Sequence, residues 1–517
     1  MRFDLDNLPD DTALLQRLVR DMAQVIEADR AQLDETQSEV EKLRIIIRQL
    51  QRTQFGRRSE RLDPDQLQLG IEDLDADIAR AEERAPGSTI KPVDAPEEKQ
   101  PRRLPEHLLR EEVVLAGETD ICPCCGGPLH SIGESVSEML DWVPAELRVI
   151  RIRRPKYGCR RCGKVHQAAA PERAIAKGMA TPKLLAHVLV SKFCDHVPLY
   201  RQAQIFARNG VEMERSTLSN WVGGACWWLE PLQQCLAADV FASGKLFADD
   251  TPIPVLDPGR GRTKTGRLWV YARDDRPWAG HAPPAAVYFY SPDRKGERPA
   301  AHLEHFKGVL QVDGYAGFER LTTSGEIVLA ACWAHARRKF YDVQEATGSP
   351  IAAEALRRIA EIYAVETQIR GQSADARKAV RGAQTRPLVE ALKAWLEVQL
   401  LRIPGRSKLA EAIRYALSRW PALSRFLEDG RIELDTNPVE RAIRPVALGR
   451  KNHLFAGSDG GGVRWATVCS LIETAKLNGV EPFAYLADVL QRMVEGHSKN
   501  RLDELLPWNW RPLSTAN

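Results

Sequence analysis

Two apolar, strand-like runs of the sequence carry aspartates where a buried strand would normally present apolar side chains. The run LFADDTPIPVL contains Asp249 and Asp250, and the run GVLQV is followed directly by Asp313. Buried carboxylates lose hydration, so a cation or hydrogen-bond donors must compensate them. If the two runs are neighbouring strands, Asp249 and Asp313 converge and form a site for a divalent cation such as Mg²⁺.

Asp249 and Asp250 are adjacent, so an extended strand turns their side chains to opposite faces. Only one of them therefore reaches a shared metal. We assign that role to Asp249 and interpret Asp250 as either a hydrogen-bonding neighbour of the site or an exposed surface group.

Phosphoryl transfer with two metal ions requires a further carboxylate from outside these strands. The segment DTNPVERAIR places Glu440 in the first turn of a predicted helix that begins at an Asn-Pro turn. Arg441 and Arg444 follow it and are suited to hold a phosphate. The alternative third carboxylate is Glu473 on a later amphipathic helix, where an exposed surface charge is the simpler interpretation.

Two CxxC pairs, each followed by glycine, have the spacing of zinc knuckles. Each pair puts two thiolates on a tight turn, and four sulfurs complete a tetrahedral Zn²⁺ site. The predicted ligands are Cys122, Cys125, Cys159 and Cys162, with Cys124 as a bystander. The predicted cofactors are therefore one structural Zn²⁺ and two Mg²⁺ per active site.

A third cysteine motif, Cys332-Trp-Ala-His335, is two ligands short of a zinc site. We interpret it as a packing and hydrogen-bonding corner. The arginines that follow it, Arg337 and Arg338, are better candidates for DNA contacts.

The elements that must position the acidic residues are strands. Strand patterns cover Lys245–Leu256, Arg267–Arg273, Ala286–Tyr290, Gly308–Val312 and Ile327–Ala331, with a helix-like segment, Ala300–Phe306, before the fourth. Three antiparallel strands, a helix, a fourth strand, and then another strand and a helix outline a ribonuclease H-like mixed sheet. Its first and fourth strands are neighbours, which brings Asp249 and Asp313 together.

The N-terminal region has the pattern of a coiled coil. Apolar residues alternate at spacings of four and three from Leu15 to Leu50, interrupted by Asp29 and Thr36. This spacing predicts self-association more strongly than packing on the protein's own core. A proline-containing segment without periodicity, residues 85–105, then predicts a linker.

A helix-turn-helix is predicted downstream of the cysteine knuckles. A helix from Pro198 ends at the Asn-Gly stop before Val211, and a second helix begins with Ser216 as a suitable N-cap. Many pairs of helices with this spacing bind nothing, so the neighbouring zinc ribbon contributes much of the case for DNA binding.

Composition neither requires nor excludes a polyanionic partner. The chain has 517 residues, with 73 Lys plus Arg against 70 Asp plus Glu and a formal net charge of +3. Local charge is more informative, because the segment from Arg148 to Lys164 has eight basic residues and no acidic one. No bilayer-spanning apolar run or signal-peptide pattern occurs, so we expect a cytoplasmic, nucleoid-associated protein without a membrane partner.

Several stretches together resemble the DDE transposases of the insertion sequence 66 family. They are FADDTPIPVLDPG, KTGRLWVY, LQVDGYAGF, CWAHARRKF, DTNPVERAIRPVALGRKNHLFAGS and SLIETAKLNGVEPFAYL, together with FGRRSE, both CxxC knuckles and PLYRQAQIFARNGV. The resemblance extends from about Leu43 to Trp510 with the motif order retained. It implies a ribonuclease H-like core, a Mg²⁺-dependent triad of Asp249, Asp313 and Glu440, and zinc-ribbon and helix-turn-helix elements that recognise transposon ends.

The resulting expectation is a multidomain α+β protein. Its regions are a coiled-coil and helical N-terminus (1–84), a linker (85–105), a zinc ribbon (106–175), a helix-turn-helix region (176–240), the first part of the core (241–341), a helical insertion (342–429), the second part of the core (430–490) and a C-terminal tail (491–517). The predicted DNA contacts are Arg57, Arg58, Arg151, Arg153, Arg154, Lys156, Arg160, Arg161, Arg201, Arg215, Arg337, Arg338, Arg441, Arg444, Arg450 and Lys451.

The predicted function is binding of double-stranded DNA at transposon ends, followed by Mg²⁺-dependent strand cleavage and transfer into target DNA. The resemblance suggests accessory proteins of the same element as further partners. Two alternatives remain at this stage: a structure-selective nuclease with the same core, and a DNA-binding regulator without catalysis.

Overall fold

The computed structural model describes residue 147 and residues 149–154, 156–158, 165–167, 169–176, 178–257, 259 and 261–512. The predicted coiled coil, the linker and the four cysteines of the zinc ribbon lie outside these residues. Two short antiparallel strands, β1 (Lys156–Gly158) and β2 (Val165–Gln167), flank the second CxxC knuckle.

Five further strands form one mixed sheet. They are β3 (Lys245–Asp257), β4 (Arg262–Arg273), β5 (Ala285–Ser291), β6 (Gly308–Val312) and β7 (Ile327–Ala331). Their order across the sheet is β5-β4-β3-β6-β7. β3, β4 and β5 pair antiparallel, whereas β6 runs parallel to β3 and β7 runs parallel to β6. The prediction that the first and fourth strands of this sheet are neighbours is confirmed.

Three helices precede the sheet: α1 (Pro182–Phe193), α2 (Leu199–Arg208) and α3 (Arg215–Phe241). Thr181 caps α1 by accepting a hydrogen bond from the Leu184 N–H group. The predicted N-cap of the following helix, Ser216, is wrong, because α3 begins at Arg215 with Glu214 as its N-cap residue. The Ser216 hydroxyl instead donates to the Glu214 carboxylate at 3.0 Å.

The connection between β5 and β6 contains a short helix, α4 (Glu297–His302). The sequence predicted this helix over Ala300–Phe306, which is too far along the chain. The helix ends earlier because the residues after it must reach the start of β6, and Phe306 in that connection is buried. A second short helix, α5 (Ala316–Glu319), follows β6.

The region predicted as a helical insertion is helical. It comprises α6 (Trp333–Thr347), α7 (Pro350–Ile369), α8 (Ala374–Val380), a π-helical turn (Arg381–Thr385), α9 (Arg386–Arg402), α10 (Lys408–Ser418) and α11 (Trp420–Leu423). These helices enclose their own hydrophobic core, to which β7 contributes Ala330 and Ala331 and α6 contributes Trp333 and Phe340.

The chain then returns to the sheet through α12 (Asn437–His453), α13 (Asp459–Leu477) and α14 (Pro482–Val494). These helices and α1–α3 share the main hydrophobic core with the strands. Leu502, Leu505 and Leu506, from the segment predicted as a C-terminal tail, are buried in this core. None of the helices in the described part of the chain combines the length and hydrophobicity that crossing a bilayer requires.

Candidate active site

Asp249 and Asp313 lie side by side at the centre of the sheet. In the parallel pair of β3 and β6, Phe247 is aligned with Gln311. Continuing this register by two residues brings Asp249 level with Asp313, which directly follows the last residue of β6. The Asp313 carboxylate accepts a hydrogen bond from the Tyr315 N–H group at 2.9 Å, which turns the chain away after the strand.

The side chain of Asp249 is on the sheet face that α12 covers. Asp249 is paired with Val270, and Val270 with Tyr288, so the three residues share one face of the sheet. The Tyr288 hydroxyl donates to the carbonyl of Ala442 in α12 at 2.6 Å. Glu440 is in the first turn of the same helix.

The segment before α12 is hydrogen-bonded to the ends of β6 and β7. The Gln311 amide donates to the Glu433 carbonyl at 2.9 Å and accepts from the Glu433 N–H group at 3.0 Å. The Trp333 N–H group donates to the Leu434 carbonyl at 2.8 Å. These bonds bring the start of α12, and with it Glu440, toward the end of the sheet where Asp313 lies.

The local structure at the start of α12 orients Glu440. The Thr436 hydroxyl donates to the Glu440 carboxylate at 2.8 Å, and the Asp435 carboxylate accepts from the Asn437 N–H group at 3.3 Å. Pro438 in the first turn suits a helix start, because the N–H group it lacks would have no partner within the helix.

The three carboxylates interact electrostatically. Burial raises the pKa of Asp249 well above its ordinary value, and the negative charges of Asp313, Asp250 and Glu440 raise it further. A hydrogen bond from the Asp250 N–H group to the Asp249 carboxylate, at 2.7 Å, opposes this effect. Such an accumulation of negative charge is a suitable environment for a divalent cation.

Asp250 has its own cationic partners. Its carboxylate contacts Arg267 at 3.2 Å and Arg294 at 2.9 Å. Burial still raises the Asp250 pKa, although both guanidinium groups lower it. Asp250 is therefore held beside Asp249 by ion pairs with Arg267 and Arg294. The alternative interpretation, an exposed surface group, is wrong, because Asp250 is buried.

Asp435 is a further acidic group beside Glu440. Burial raises its pKa to about 7, and the charges of Glu440 and Glu433 act in the same direction. Its place in the DTNPVE segment was the one sequence signal that could have indicated this residue. Its proximity to Glu440 adds to the negative charge at the start of α12.

Glu473 is on a helix that is hydrogen-bonded to a different strand, β5, at the edge of the sheet. The hydroxyl groups of Ser470 and Thr474, on the same helix, accept hydrogen bonds from the Tyr288 and Ala286 N–H groups of β5. β5 is two strands from β3, or about 10 Å at the usual strand spacing. Glu473 is also buried and paired with Lys476 at 2.9 Å, so the interpretation of an exposed charge is wrong. This arrangement favours Glu440 over Glu473 as the third carboxylate.

The basic residues predicted to contact DNA differ in exposure. Seven of those in the described part are exposed: Arg151, Arg153, Arg201, Arg215, Arg441, Arg444 and Lys451. Arg154, Arg337 and Arg338 are partly buried, and Arg338 pairs with Asp342 at 2.8 Å. The side chain of Lys156, and all of Arg57, Arg58, Arg160 and Arg161, lie outside the described parts.

Arg450 is a correction to the predicted DNA contacts. Its side chain is buried, with 4% of the residue exposed, and donates to the carbonyl of Pro252 in β3. A guanidinium group held inside the protein in this way attaches α12 to the sheet and does not face a DNA strand.

Cys332 and His335 meet Glu440. One potential ligand atom from each of the three side chains lies within 4.8 Å of the other two. The sequence left the CxxH pair without further ligands, because Glu440 is distant in the chain and only the fold brings it close. The CxxH spacing was the signal that could have indicated a site here.

Comparisons with known proteins agree across most of the chain. A family model described as "Transposase IS66 family" matches residues 177–464, and the "IS66 C-terminal element" matches residues 470–508. The "zinc-finger binding domain of transposase IS66" matches residues 119–163, which include both CxxC knuckles. The "Transposase C of IS166 homeodomain" matches residues 42–113, so a homeodomain-like region overlaps the segments predicted as coiled coil and linker.

Similar proteins occur in Sinorhizobium fredii. The uncharacterized protein y4jD is 46% identical over 482 residues, which cover 91% of this chain and 94% of the relative. The uncharacterized protein y4qI is 41% identical over 535 residues, which cover 98% of each protein. The family models show a transposase with zinc-finger and homeodomain-like DNA-binding regions. The chain therefore belongs to the IS66 family of transposases.

Proposed function

We propose that the protein is a Mg²⁺-dependent DDE transposase that cleaves and joins DNA strands with Asp249, Asp313 and Glu440. The observation that carries this proposal is the alignment of Asp249 with Asp313 on adjacent parallel strands, with Glu440 near enough to raise the Asp249 pKa. The order of three antiparallel strands followed by two parallel strands supports a ribonuclease H-like core.

The residues present are suited to Mg²⁺. Carboxylate oxygens are the ligands that Mg²⁺ prefers, and burial among like charges leaves Asp249 in need of a compensating cation. Asp249, Asp313 and Glu440 would hold the ions. When bound, two Mg²⁺ ions supply Lewis-acid activation and charge stabilisation for phosphoryl transfer.

The protein's other residues position the DNA. Arg441 and Arg444 are exposed on α12 directly after Glu440, where they can bind phosphates beside the carboxylates. Attack of water on a phosphodiester breaks one strand and leaves a 3′-hydroxyl. That hydroxyl then attacks a target phosphodiester, which joins the two DNAs and displaces the target's own 3′-hydroxyl. Neither step requires a covalent bond to the protein.

The N-terminal regions would select the DNA. In this proposal the zinc finger and the homeodomain-like region bind the transposon ends, and the N-terminal helix mediates self-association. Arg201 and Arg215, at α2 and α3, are exposed and are further candidates for contacts with DNA phosphates in this proposal. Accessory proteins of the same element and association with the nucleoid belong to this proposal as well.

The test is incubation of purified protein with the ends of its own element and Mg²⁺, with cleaved and joined products resolved on gels. Asp313→Asn should retain binding of the ends and lose both products, because it removes one charged metal ligand. Asp375→Asn is the matched control, since Asp375 is exposed on α8, and it should keep both activities.

Three results would contradict the proposal. An Asp313→Asn variant that still cleaves would remove Asp313 from the catalytic set. If intact ends were cleaved but neither intact nor pre-nicked ends gave a joined product, the protein would be a nuclease and not a transposase. Binding without either product under all divalent-cation conditions would identify a DNA-binding regulator.

A further inference from the structure

The site of this inference lies where β7 ends and α6 begins. Cys332 directly follows β7 and is the residue before α6, and His335 is in the first turn of that helix. Glu440 approaches them from the first turn of α12. The three side chains each have a potential ligand atom within 4.8 Å of those of the other two. Cys332 is only 2% exposed, so its thiol is shielded from bulk solvent.

We propose that Cys332, His335 and Glu440 form a binding site for a thiophilic divalent cation such as Zn²⁺, and that occupation of this site withdraws Glu440 from Asp249 and Asp313. The binding itself is independent of the proposed function. Its inhibitory consequence rests on the proposed function, because it requires Glu440 to serve the catalytic Mg²⁺ site.

The distances are compatible with a zinc site. With Zn–S bonds of about 2.3 Å and Zn–N and Zn–O bonds of about 2.0–2.2 Å, ligand atoms around a tetrahedral ion are about 3.3–3.6 Å apart. The three side chains must therefore approach one another by at most about 1.5 Å, which small side-chain rotations can provide. The fourth position remains for water.

The ligand types select the cation. A thiolate and an imidazole favour Zn²⁺ and related transition metals, whereas Mg²⁺ prefers a shell composed of oxygen. The same three residues are therefore poorly suited to the Mg²⁺ ions of the proposed active site.

The elements that carry the ligands are held together. The Trp333 N–H group donates to the Leu434 carbonyl at 2.8 Å, which joins the start of α6 to the segment before α12. The Trp333 indole donates to the Leu423 carbonyl, also at 2.8 Å. The Thr436 hydroxyl restrains Glu440 at 2.8 Å. A metal would thus bind between two elements that are already fixed relative to each other.

Glu440 is shared between two groups of acidic and metal-binding residues. Toward the sheet, the negative charge of Glu440 raises the pKa of Asp249. Toward α6, its carboxylate lies beside Cys332 and His335. One carboxylate cannot fully neutralise two cations at different positions. Zinc bound by the thiolate and imidazole should therefore compete with the Mg²⁺-dependent reaction.

Binding is tested with Co²⁺ as the probe, added to the full-length protein after its zinc ribbon has been loaded with one equivalent of Zn²⁺. Ribbon zinc should resist displacement, because Co²⁺ binds such sites more weakly than Zn²⁺. The wild type should bind one further equivalent and develop a near-ultraviolet thiolate-to-cobalt charge-transfer band. Cys332→Ser should lose this band, and His335→Gln should bind Co²⁺ at least tenfold more weakly.

The matched control is Cys469→Ser, which changes an equally buried cysteine of α13 outside the cluster. It should retain the band and the stoichiometry. The proposal is overturned if the wild type binds no further Co²⁺, or if Cys332→Ser retains the charge-transfer band. Circular dichroism of each variant establishes that the loss of the band is not caused by unfolding.

The inhibitory consequence is tested by titrating Zn²⁺ into the cleavage reaction at fixed Mg²⁺, with each variant compared with its own zinc-free rate. The half-inhibitory Zn²⁺ concentration should rise at least tenfold in Cys332→Ser and remain unchanged in Cys469→Ser. Equal inhibition of both variants would refute the competition. If the wild type itself does not cleave DNA, the proposed function fails. The cobalt experiment still decides whether the metal site exists.

Discussion

At the scale of single residues, the choice between Glu440 and Glu473 can be tested directly. Glu440→Gln should reduce cleavage and joining by roughly 10²–10³-fold, because one charged ligand of the proposed metal site is lost. Glu473→Gln should retain the chemistry and lose about 1 kcal/mol of stability, because it removes the ion pair between the buried Glu473 carboxylate and the exposed Lys476 ammonium group. Product formation and urea denaturation of the two variants provide the comparison. The reverse pattern would transfer the catalytic role to Glu473.

Asp435 gives a second prediction at this scale, through pH. Burial and the nearby charges of Glu440 and Glu433 raise its pKa from 3.8 to about 7 in the folded protein. The folded state therefore holds a proton that the unfolded state releases near pH 4. The stability that this group contributes is complete below about pH 4 and is lost as the pH rises through about 7.

Asp435→Asn removes that loss while keeping an oxygen that can accept from the Asn437 N–H group. In metal-free buffer at pH 8, it should exceed the wild type in free energy of unfolding by about 1–3 kcal/mol, with a smaller difference at pH 5. Asp375→Asn should follow the wild-type pH dependence. A gain that is equal at both pH values would contradict the titration of Asp435.

At the scale of elements, the helical insertion helps to position the third carboxylate. Arg381, fully buried at the π-helical turn, binds both oxygens of Glu366 at 2.8 and 2.6 Å. It also donates to the carbonyls of Phe426, Asp429 and Ile432, at 2.9, 3.2 and 2.8 Å. Those carbonyls precede the Glu433–Leu434 segment that is bonded to β6 and β7. The insertion is therefore hydrogen-bonded to the segment of chain that leads into α12 and Glu440.

Arg381→Met should lower the free energy of unfolding by about 3–5 kcal/mol, because it leaves three carbonyls without this buried donor and leaves Glu366 only its longer contact with Arg377, at 3.4 Å. It should also reduce cleavage, although Arg381 is remote from the carboxylates. Arg357→Met is the matched control, since Arg357 forms only surface pairs on α7, and it should change stability little. Denaturation and cleavage assays at a temperature where both variants are folded decide the matter. If the folded Arg381→Met variant kept full activity, Arg381 would have no role in positioning Glu440.

Some of the strands and helix starts could be predicted from the sequence alone. Strands β6 and β7 were predicted with their observed bounds, because each is a short, predominantly apolar run that is largely buried in the sheet. The neighbouring position of Asp249 and Asp313 followed from that pattern. A local signal also located the start of α12, because proline after asparagine is favoured in the first turn of a helix.

Other features depend on contacts that no local pattern encodes. Arg450 looks like an exposed cation in the GRKN segment, but α12 turns it toward the Pro252 carbonyl. The meeting of Cys332 and His335 with Glu440 requires the whole insertion to fold between them. Ser216 was a suitable N-cap by residue type, yet the N-cap of α3 is Glu214, two residues earlier. Tertiary contacts decided these cases against local preference.

At the scale of the whole molecule, our proposal assigns recognition of ends and phosphoryl transfer to different regions. The zinc-finger match covers residues 119–163, whereas the acidic residues belong to a sheet and helices with two hydrophobic cores of their own. A large core of this kind does not require the zinc finger for its stability. Loss of zinc should therefore impair the selection of DNA ends before it impairs folding of the sheet.

Cys159→Ser tests this separation. It removes one of the four predicted zinc ligands, so the protein should lose one equivalent of bound zinc and bind transposon ends at least tenfold more weakly. The main thermal unfolding transition should remain, because it reports the cores around the sheet. Cys124→Ser is the matched control, since Cys124 lies between two predicted ligands without being one, and it should retain zinc and end binding. Metal analysis, gel-shift titration and calorimetry measure the three quantities. If Cys159→Ser abolished the main transition, the zinc would support the whole molecule; if Cys124→Ser lost zinc instead, the ligand assignment would be wrong.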